Sequence, residues 1–330
     1  ALLVNAGCAN ACTGEPGLLA VERSTAAVAR ALGIDASSVL PASTGVIGEV
    51  LAAERIERTA DALVGGLSPS GSDDFATAIM TTDRWQKVAS THLTQGSSSA
   101  TLLGIGKGAG MVHPDVGPPQ ATMLIFLFTD ARVEPATLER ALVRATDQTF
   151  NCCTVDGDTS TNDSVFALAS GVSSVSPSED ELVAKLVEVC DAIARSMVAD
   201  GEGAEHAIEL HVTGVANDED AREIARQVAT SLLVKTALYG KDSNWGRLLA
   251  AAGRARARFN PEQARIRIGD VEIVRNGVTV GKDAEKRANA VLAQPAYTIE
   301  MELGSGAGRA RYLMSDIGHG YIDVNASYRS

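Results

Sequence analysis

From Met123 to Phe128 the chain runs Met-Leu-Ile-Phe-Leu-Phe without a polar residue, closed by Thr122 on one side and Thr129-Asp130 on the other. That is far short of the ~18 apolar residues a membrane span requires, and no other stretch approaches that length. It reads as a buried strand, core rather than a cofactor box. With 330 residues, 45% hydrophobic and 21% charged, the chain can bury one large core or two medium ones around it.

Helical and strand-like segments alternate on both sides of this run, with no internal repeat or low-complexity tract, which predicts a layered α/β architecture. Helices are expected at Pro16 to Leu32, about Val50 to Val64, Asp73 to Thr81, Pro135 to Ala145, Pro177 to Ala199 and Asp218 to Leu232. Strands are expected at Val39 to Pro41, Val88 to Leu93, Ser99 to Ile105, Ala207 to Val212, Gln263 to Ile268, Val271 to Val274, Tyr297 to Leu303, Arg309 to Met314 and Ile322 to Tyr328. Small residues from Ala42 to Gly48 read as a turn leading into the second helix. No linker separates two autonomous domains.

The net charge of -12 argues against binding a phosphate backbone, which needs clustered Lys and Arg, so small molecules are the expected partners and neither nucleic acid nor a membrane is. Five cysteines, two of them adjacent at Cys152 and Cys153, suit neither a disulfide framework nor a zinc site and point to a reducing compartment. The chain begins at Ala1, and LLVNAG looks like the middle of a strand entering a turn, so the natural start is expected to lie upstream.

Several segments have both a chemical and a plain structural reading. Ala121-Thr122 joins a Gly/Pro-rich loop to the buried strand, where a self-cleaving precursor would keep a threonine whose hydroxyl attacks the preceding carbonyl and whose freed amine then acts as base. An ordinary loop-to-strand boundary looks the same. Lys107-Gly-Ala-Gly lacks the spacing of a nucleotide cradle and reads as a flexible turn. Thr44-Gly45 is either an oxyanion hole or a helix N-cap with its glycine. Asp200-Gly-Glu-Gly is either a carboxylate held at a site edge or a helix-ending turn. Asp156, Asp158 and Asp163 lack the spacing of a calcium loop and are expected to brace turns. The five histidines show no ligand spacing, so no metal is expected. Asn244-Trp-Gly-Arg is either a structural turn with a packed indole or a substrate contact, the turn being the expectation.

Taken together, ten ordered motifs resemble the ornithine acetyltransferase family, the N-terminal-nucleophile enzymes of arginine biosynthesis also called glutamate N-acetyltransferases. They are VNAGCANACTG, ASTGVIGE, AIMTTD, KGAGM, the Ala-Thr junction, FN with T-x-D-x-D-T-S-T-x-D, DGEGA, SxLVKTA, D-x-N-W-G-R and N-x-x-Y-R-S, spread over essentially all 330 residues. The resemblance implies paired β-sheets between helical layers, αββα, and a cut between Ala121 and Thr122. An α chain of residues 1–121 and a β chain of residues 122–330 would then stay packed as one body and assemble into oligomers.

The same resemblance implies ping-pong transfer of an acetyl group from N2-acetylornithine to glutamate through acetyl-Thr122, with acetyl-CoA as a further donor left open and no cofactor. Thr44 and Gly45 match the oxyanion-hole positions. Lys107, Thr122, Glu202, Asn325, Ser330 and one of Thr81 or Thr82 match the substrate positions, with Lys107 suited to a substrate carboxylate and Glu202 to an ammonium. An amidohydrolase or aminopeptidase on the same scaffold is the alternative. Two departures stand out. Where the family has T-T-D-T-x-P-K, this chain has Thr81-Thr82-Asp83-Arg84-Trp85-Gln86-Lys87. It also carries Gly117-Pro118-Pro119-Gln120 before the junction, as fungal members working in the mitochondrial matrix do. The expected compartment is the cytoplasm, or that matrix for a eukaryotic source.

Overall fold

The computed structural model describes residues 1–115 and 123–327. The first half supplies β1 (Leu2–Cys8), α1 (Gly14–Leu32), β2 (Leu40–Val46), α2 (Ala53–Gly65), α3 (Ser72–Ala78), β3 (Lys87–Gln95), β4 (Ser98–Lys107), β5 (Leu124–Thr129), α4 (Pro135–Gln148), β6 (Cys153–Thr154), β7 (Ser164–Ala169) and α5 (Glu179–Ala199). The parallel pair β1-β2 lies between α1/α2 and a four-stranded sheet in the order β3-β4-β5-β7. Strand alternation builds these layers. Leu3 packs with Val39 among Val28, Ala60 and Ile56 of the helices, whereas Leu2, Val4 and Ala42 meet Ile105, Leu124, Phe126 and Phe166 of the sheet. On the far side of that sheet, Leu102, Ile125 and Leu127 pack on Leu182, Leu186, Val189 and Ile193 of α5 and on α4. The succession is helices, sheet, sheet, helices, the αββα arrangement.

β5 is buried on both faces, which explains its unbroken apolar run. Phe126 is stacked on Phe166 at 5.4 Å and meets Phe75 edge-on at 5.1 Å. Such burial contributes roughly 2–3 kcal/mol per large side chain. The glycines of β4 let α5 ride close: a Cβ at Gly104 would lie 2.5 Å from Val189 Cγ1, and one at Gly106 2.9 Å from Ile193 Cγ2. β4 and β5 pair antiparallel from Leu102↔Thr129 to Lys107↔Leu124.

The second half supplies β8 (Ala207–Val215), α6 (Asp218–Ala229), α7 (Leu232–Tyr239), α8 (Trp245–Ala252), β9 (Arg265–Ile268), β10 (Val271–Arg275), β11 (Val278–Thr279), α9 (Lys282–Val291), β12 (Ala296–Glu302), β13 (Gly308–Ser315) and α10 (His319–Ser327). Its seven-stranded sheet runs β11-β10-β9-β12-β8-β13-β6. One face buries Ile208, Leu210, Ile266, Ile299 and Met301 against Ile224, Val228, Leu248 and Ala288 of α6, α8 and α9. Leu313 of β13 joins the α5 core, and the chain passes from β6 in this sheet to β7 in the other, so the two halves share packing and backbone.

Four sequence expectations are corrected. Ala42 to Gly45 is not a turn before a helix but the body of β2, because pairing with β1 carries the strand through Thr44↔Ala6 and Gly45↔Gly7. Gly45 has φ 126°, and a Cβ there would sit 2.3 Å from the Gly7 carbonyl carbon, so only glycine fits. The single helix expected to Leu232 breaks at Ser231, whose side chain caps α7 by accepting from Val234 N. Ile322 onward is the helix α10 rather than a strand; its short alternating pattern finds no sheet edge, and Gly320 meets Gly203 backbone to backbone at its start. Asn244 caps α8 by accepting from Arg247 N, with Trp245 packed on the core, so the expected turn is a helix start.

Candidate active site

Lys107 ends β4 inside the molecule, 1% exposed. Its ammonium donates to Thr81 Oγ1 at 2.8 Å and to Thr44 Oγ1 at 3.2 Å. Thr44 is itself fully buried, on β2. The strand pairing that overturned the turn and helix-cap readings is therefore what brings Thr44 to Lys107 across the two sheets. Of the two candidate threonines, Thr81 bonds Lys107; among the described residues Thr82 makes no bond to this cluster.

Asp83 lies 3.9 Å from the Lys107 ammonium. Its Oδ1 accepts from Gly108 N at 2.8 Å and from Lys87 Nζ at 2.7 Å, and its Oδ2 from Thr81 N at 3.2 Å. Lys87 continues to Asp200 Oδ2 at 2.6 Å, and Asp200 also accepts from the backbone N and the Nε of Arg84. Positive and negative groups thus alternate from Lys107 to Arg84, most of them out of water, where each depends on its neighbours. Burial alone would raise the Asp83 carboxyl, but Lys107 and Lys87 hold it below the usual carboxylate range. Burial pulls Lys107 below an ordinary lysine, and Asp83 opposes that pull.

Asp200 ends α5 and opens the Asp-Gly-Glu-Gly turn. Glu202 N donates to Ala109 O at 2.8 Å, which holds this turn against the strand carrying Lys107. The Glu202 carboxylate accepts from Asn325 Nδ2 of α10 at 2.8 Å, and it fills the space beside Gly110, where a Cβ would lie 2.3 Å from it. Lys107, Thr44, Thr81, Glu202 and Asn325 are therefore gathered around the backbone of residues 107–110. Gly45 sits beside Thr44 on β2. Ala121, Thr122 and Ser330 lie outside the described residues.

The Asp/Thr-rich stretch braces both sides of the segment that holds the junction. Asp156 accepts from Met111 N at 2.5 Å and Val112 N at 3.0 Å, and Thr159 donates to His113 O at 2.8 Å. Asp163 accepts from Met123 N, and Ser164 N donates to Met123 O at 2.8 Å. Asn162 Nδ2 reaches Ala9 O at 2.7 Å and Ser43 O at 3.0 Å, tying the same stretch to β1 and β2. The turn-bracing expectation holds for Asp156 and Asp163. Sequence reasoning did not single out Asp83, Lys87 or Asp200 as members of the site, although Asp83 and Asp200 stand inside two of its motifs.

The two residues that depart from the family pattern, Arg84 and Gln86, point elsewhere. Arg84 stacks on Trp85 at 4.8 Å and grips Asp200 at the end of α5, and Gln86 Nε2 donates to Asp73 O at 3.0 Å and to Thr77 Oγ1 at 2.6 Å on α3, so neither faces Lys107.

A profile of the ArgJ family matches residues 1–330. The chain belongs to the ArgJ family. It is 43% identical over 336 residues to the arginine biosynthesis bifunctional protein ArgJ of Geobacter sulfurreducens, and 44% identical over 334 residues to that of Nitratidesulfovibrio vulgaris. Each alignment takes in all of this chain and 84% of the relative. The crystal structure of the arginine biosynthesis bifunctional protein ArgJ from Bacillus halodurans superposes with a TM-score of 0.58 at 38% identity, covering 62% of this chain and 98% of that one. The sequence resemblance and the αββα layering of this ArgJ-family chain thus agree.

Proposed function

We propose that this chain is an acetyltransferase of arginine biosynthesis that moves the acetyl group of N2-acetylornithine to glutamate, giving ornithine and N-acetylglutamate. In the precursor, the Thr122 hydroxyl attacks the Ala121 carbonyl, the peptide becomes an ester, and water hydrolyses it. That leaves the Ala121 carboxylate on an α chain of residues 1–121 and a free Thr122 amine on a β chain of residues 122–330. In the transfer, Thr122 Oγ attacks the acetyl amide carbonyl while its α-amine takes the hydroxyl proton and passes it to departing ornithine. The amine of glutamate then attacks the acetyl ester and returns Oγ to its hydroxyl form. An α-amine with a pKa of ~8 suits this work. Thr44 and Gly45 stabilise the negative charge on the tetrahedral oxygen, a role where losing one donor costs on the order of 10²-fold.

The observation that carries this reading is the pair of opposite charges around residues 107–110: a buried ammonium at Lys107 and a carboxylate at Glu202, whose backbone N donates to Ala109 O two residues beyond Lys107. Donor and acceptor substrates both carry an α-carboxylate, and both carry an amine, so each needs one group of either sign. Thr81, Asn325 and Ser330 complete the substrate contacts. The relatives are named bifunctional, which supports a second activity, acetylation of glutamate from acetyl-CoA at the same Thr122 and without a bound cofactor. The αβ units assemble into a homo-oligomer and work in the cytoplasm.

Intact mass under denaturing conditions, followed by ornithine release from N2-acetylornithine with and without glutamate, tests the whole reading. Two fragments with a new N-terminus at Thr122 and glutamate-dependent release are expected; Thr122→Ala should stay uncut and inactive. Release to water alone would make the protein an amidohydrolase, and activity in an uncut chain would remove Thr122 as nucleophile.

A further inference from the structure

A lysine as deeply buried as Lys107 loses its proton readily, and a neutral amine would not hold a carboxylate. Something must keep it charged without occupying it. Asp83 stands 3.9 Å away, close enough for attraction and too far for a hydrogen bond. An ammonium has three donors; among the described residues two go to Thr44 and Thr81, which leaves one for a ligand. Meanwhile the Asp83 oxygens are held by Lys87 Nζ, Gly108 N and Thr81 N, so the carboxylate cannot swing in to take that donor.

We infer that Asp83 is the positioning residue that keeps Lys107 charged and aimed at the substrate carboxylate, and that Lys87 and Asp200 tie this arrangement to the turn carrying Glu202. The inference rests on the proposed role of Lys107 and adds a residue to it. Lys87 donates to both carboxylates, 2.7 Å to Asp83 and 2.6 Å to Asp200, and Glu202 is two residues beyond Asp200. The spacing between the cation and the anion that receive the two ends of an amino-acid substrate is thereby set by buried ion pairs rather than by loop backbone alone.

The charged groups acting on Lys107 are Asp83, Lys87, Glu202 and Asp163, with the hydroxyls of Thr44 and Thr81 as its direct partners. Asp83 favours the protonated form and Lys87 opposes it. Opposite pH shifts follow for the two variants, and loss of packing alone would not produce them.

The experiment uses the full-length chain, with maturation checked by mass, and records KM and kcat for glutamate and N2-acetylornithine from pH 6 to 10. Asp83→Asn should raise KM for both substrates about tenfold or more at pH 8, change kcat much less, and move the alkaline rise of KM to lower pH by about one unit. Lys87→Gln should move that rise to higher pH. Where Asp83→Asn does not yield matured protein, Lys87→Gln carries the test alone. Unshifted or same-direction pH profiles would overturn the inference. Lys107→Ala separates the two levels: if it leaves both KM values unchanged, the role of Lys107 fails, whereas a raised KM there with an unshifted Asp83→Asn or Lys87→Gln profile sinks only the role of Asp83.

Discussion

Replacing Gly110 by alanine tests the position of Glu202 without altering any group that reacts. The added Cβ would lie 2.3 Å from Glu202 Cδ and Oε2 and 2.4 Å from Oε1, whereas ordinary contact begins at 3.4 Å. Gly110 is not among the glycines with positive φ, so alanine fits the backbone and the side chain of Glu202 must give way. The carboxylate then retreats by about 1 Å, a misplacement that can cost on the order of 10²-fold in a reaction that needs aligned groups. The structural penalty is small: an exposed hydrogen bond from Asn325, worth about 1 kcal/mol, and a change of rotamer. We therefore expect kcat/KM for the glutamate-dependent release of ornithine to fall about 100-fold, while the melting temperature drops by no more than about 4 °C. A kcat/KM within about threefold of the parent, in a normally cleaved protein, would refute the placement of Glu202 at the substrate.

Three further outcomes are expected. In the uncut Thr122→Ala chain, Gly45→Ala should lower unfolding free energy by about 3 kcal/mol or more in urea titrations, since it combines a left-handed backbone with a Cβ 2.3 Å from Gly7; a loss under about 1 kcal/mol would contradict that close approach. Lys235, wholly buried on α7 and donating to Ser315 O, is pulled by burial down to about 7. The unfolded chain then binds more protons between that value and the ordinary 10.5, so this lysine makes stability rise with pH across the window and fall away as pH drops through about 7. Relative to Lys235→Met, both in the uncut Thr122→Ala chain, the slope should approach ~1.4 kcal/mol per pH unit, and parallel curves would refute it. Thiol labelling of the native protein should mark the exposed Cys12 and spare Cys190, whose thiol burial pushes up to about 12, and Cys153, which burial also raises; labelling of all five at one rate would contradict the packing of α5.

The parts legible in the sequence are those whose cause is local. An apolar run with no polar face announced β5, and alternation announced β8, β12 and β13, because each records the faces that its own residues bury. What misled is also physical. Thr44 and Gly45 look like turn residues since small side chains and glycine serve turns, yet here they serve the near contact of two parallel strands, a property of β1 as much as of β2. α10 spans nine residues, too few for the alternation of its side chains to tell helix from strand. Within the site, Lys107 and Glu202 stood out through their motifs. The chain from Lys107 through Asp83 and Lys87 to Asp200 did not, because its last link joins residues 113 apart in sequence.

The pairing of β4 with β5 bears on the life history of the protein. Lys107 faces Leu124 at one end of this ladder and Leu102 faces Thr129 at the other, so the proposed cut falls within a connection between neighbouring strands of one sheet. Severing it leaves the ladder intact but abolishes the tether that made its formation intramolecular. Before the cut, refolding is a first-order event within one chain; afterwards the fragments must find each other again, at a rate proportional to their concentration. Maturation would therefore make the assembled state one that dilute, denatured chains do not readily regain, with its persistence governed by how slowly it comes apart.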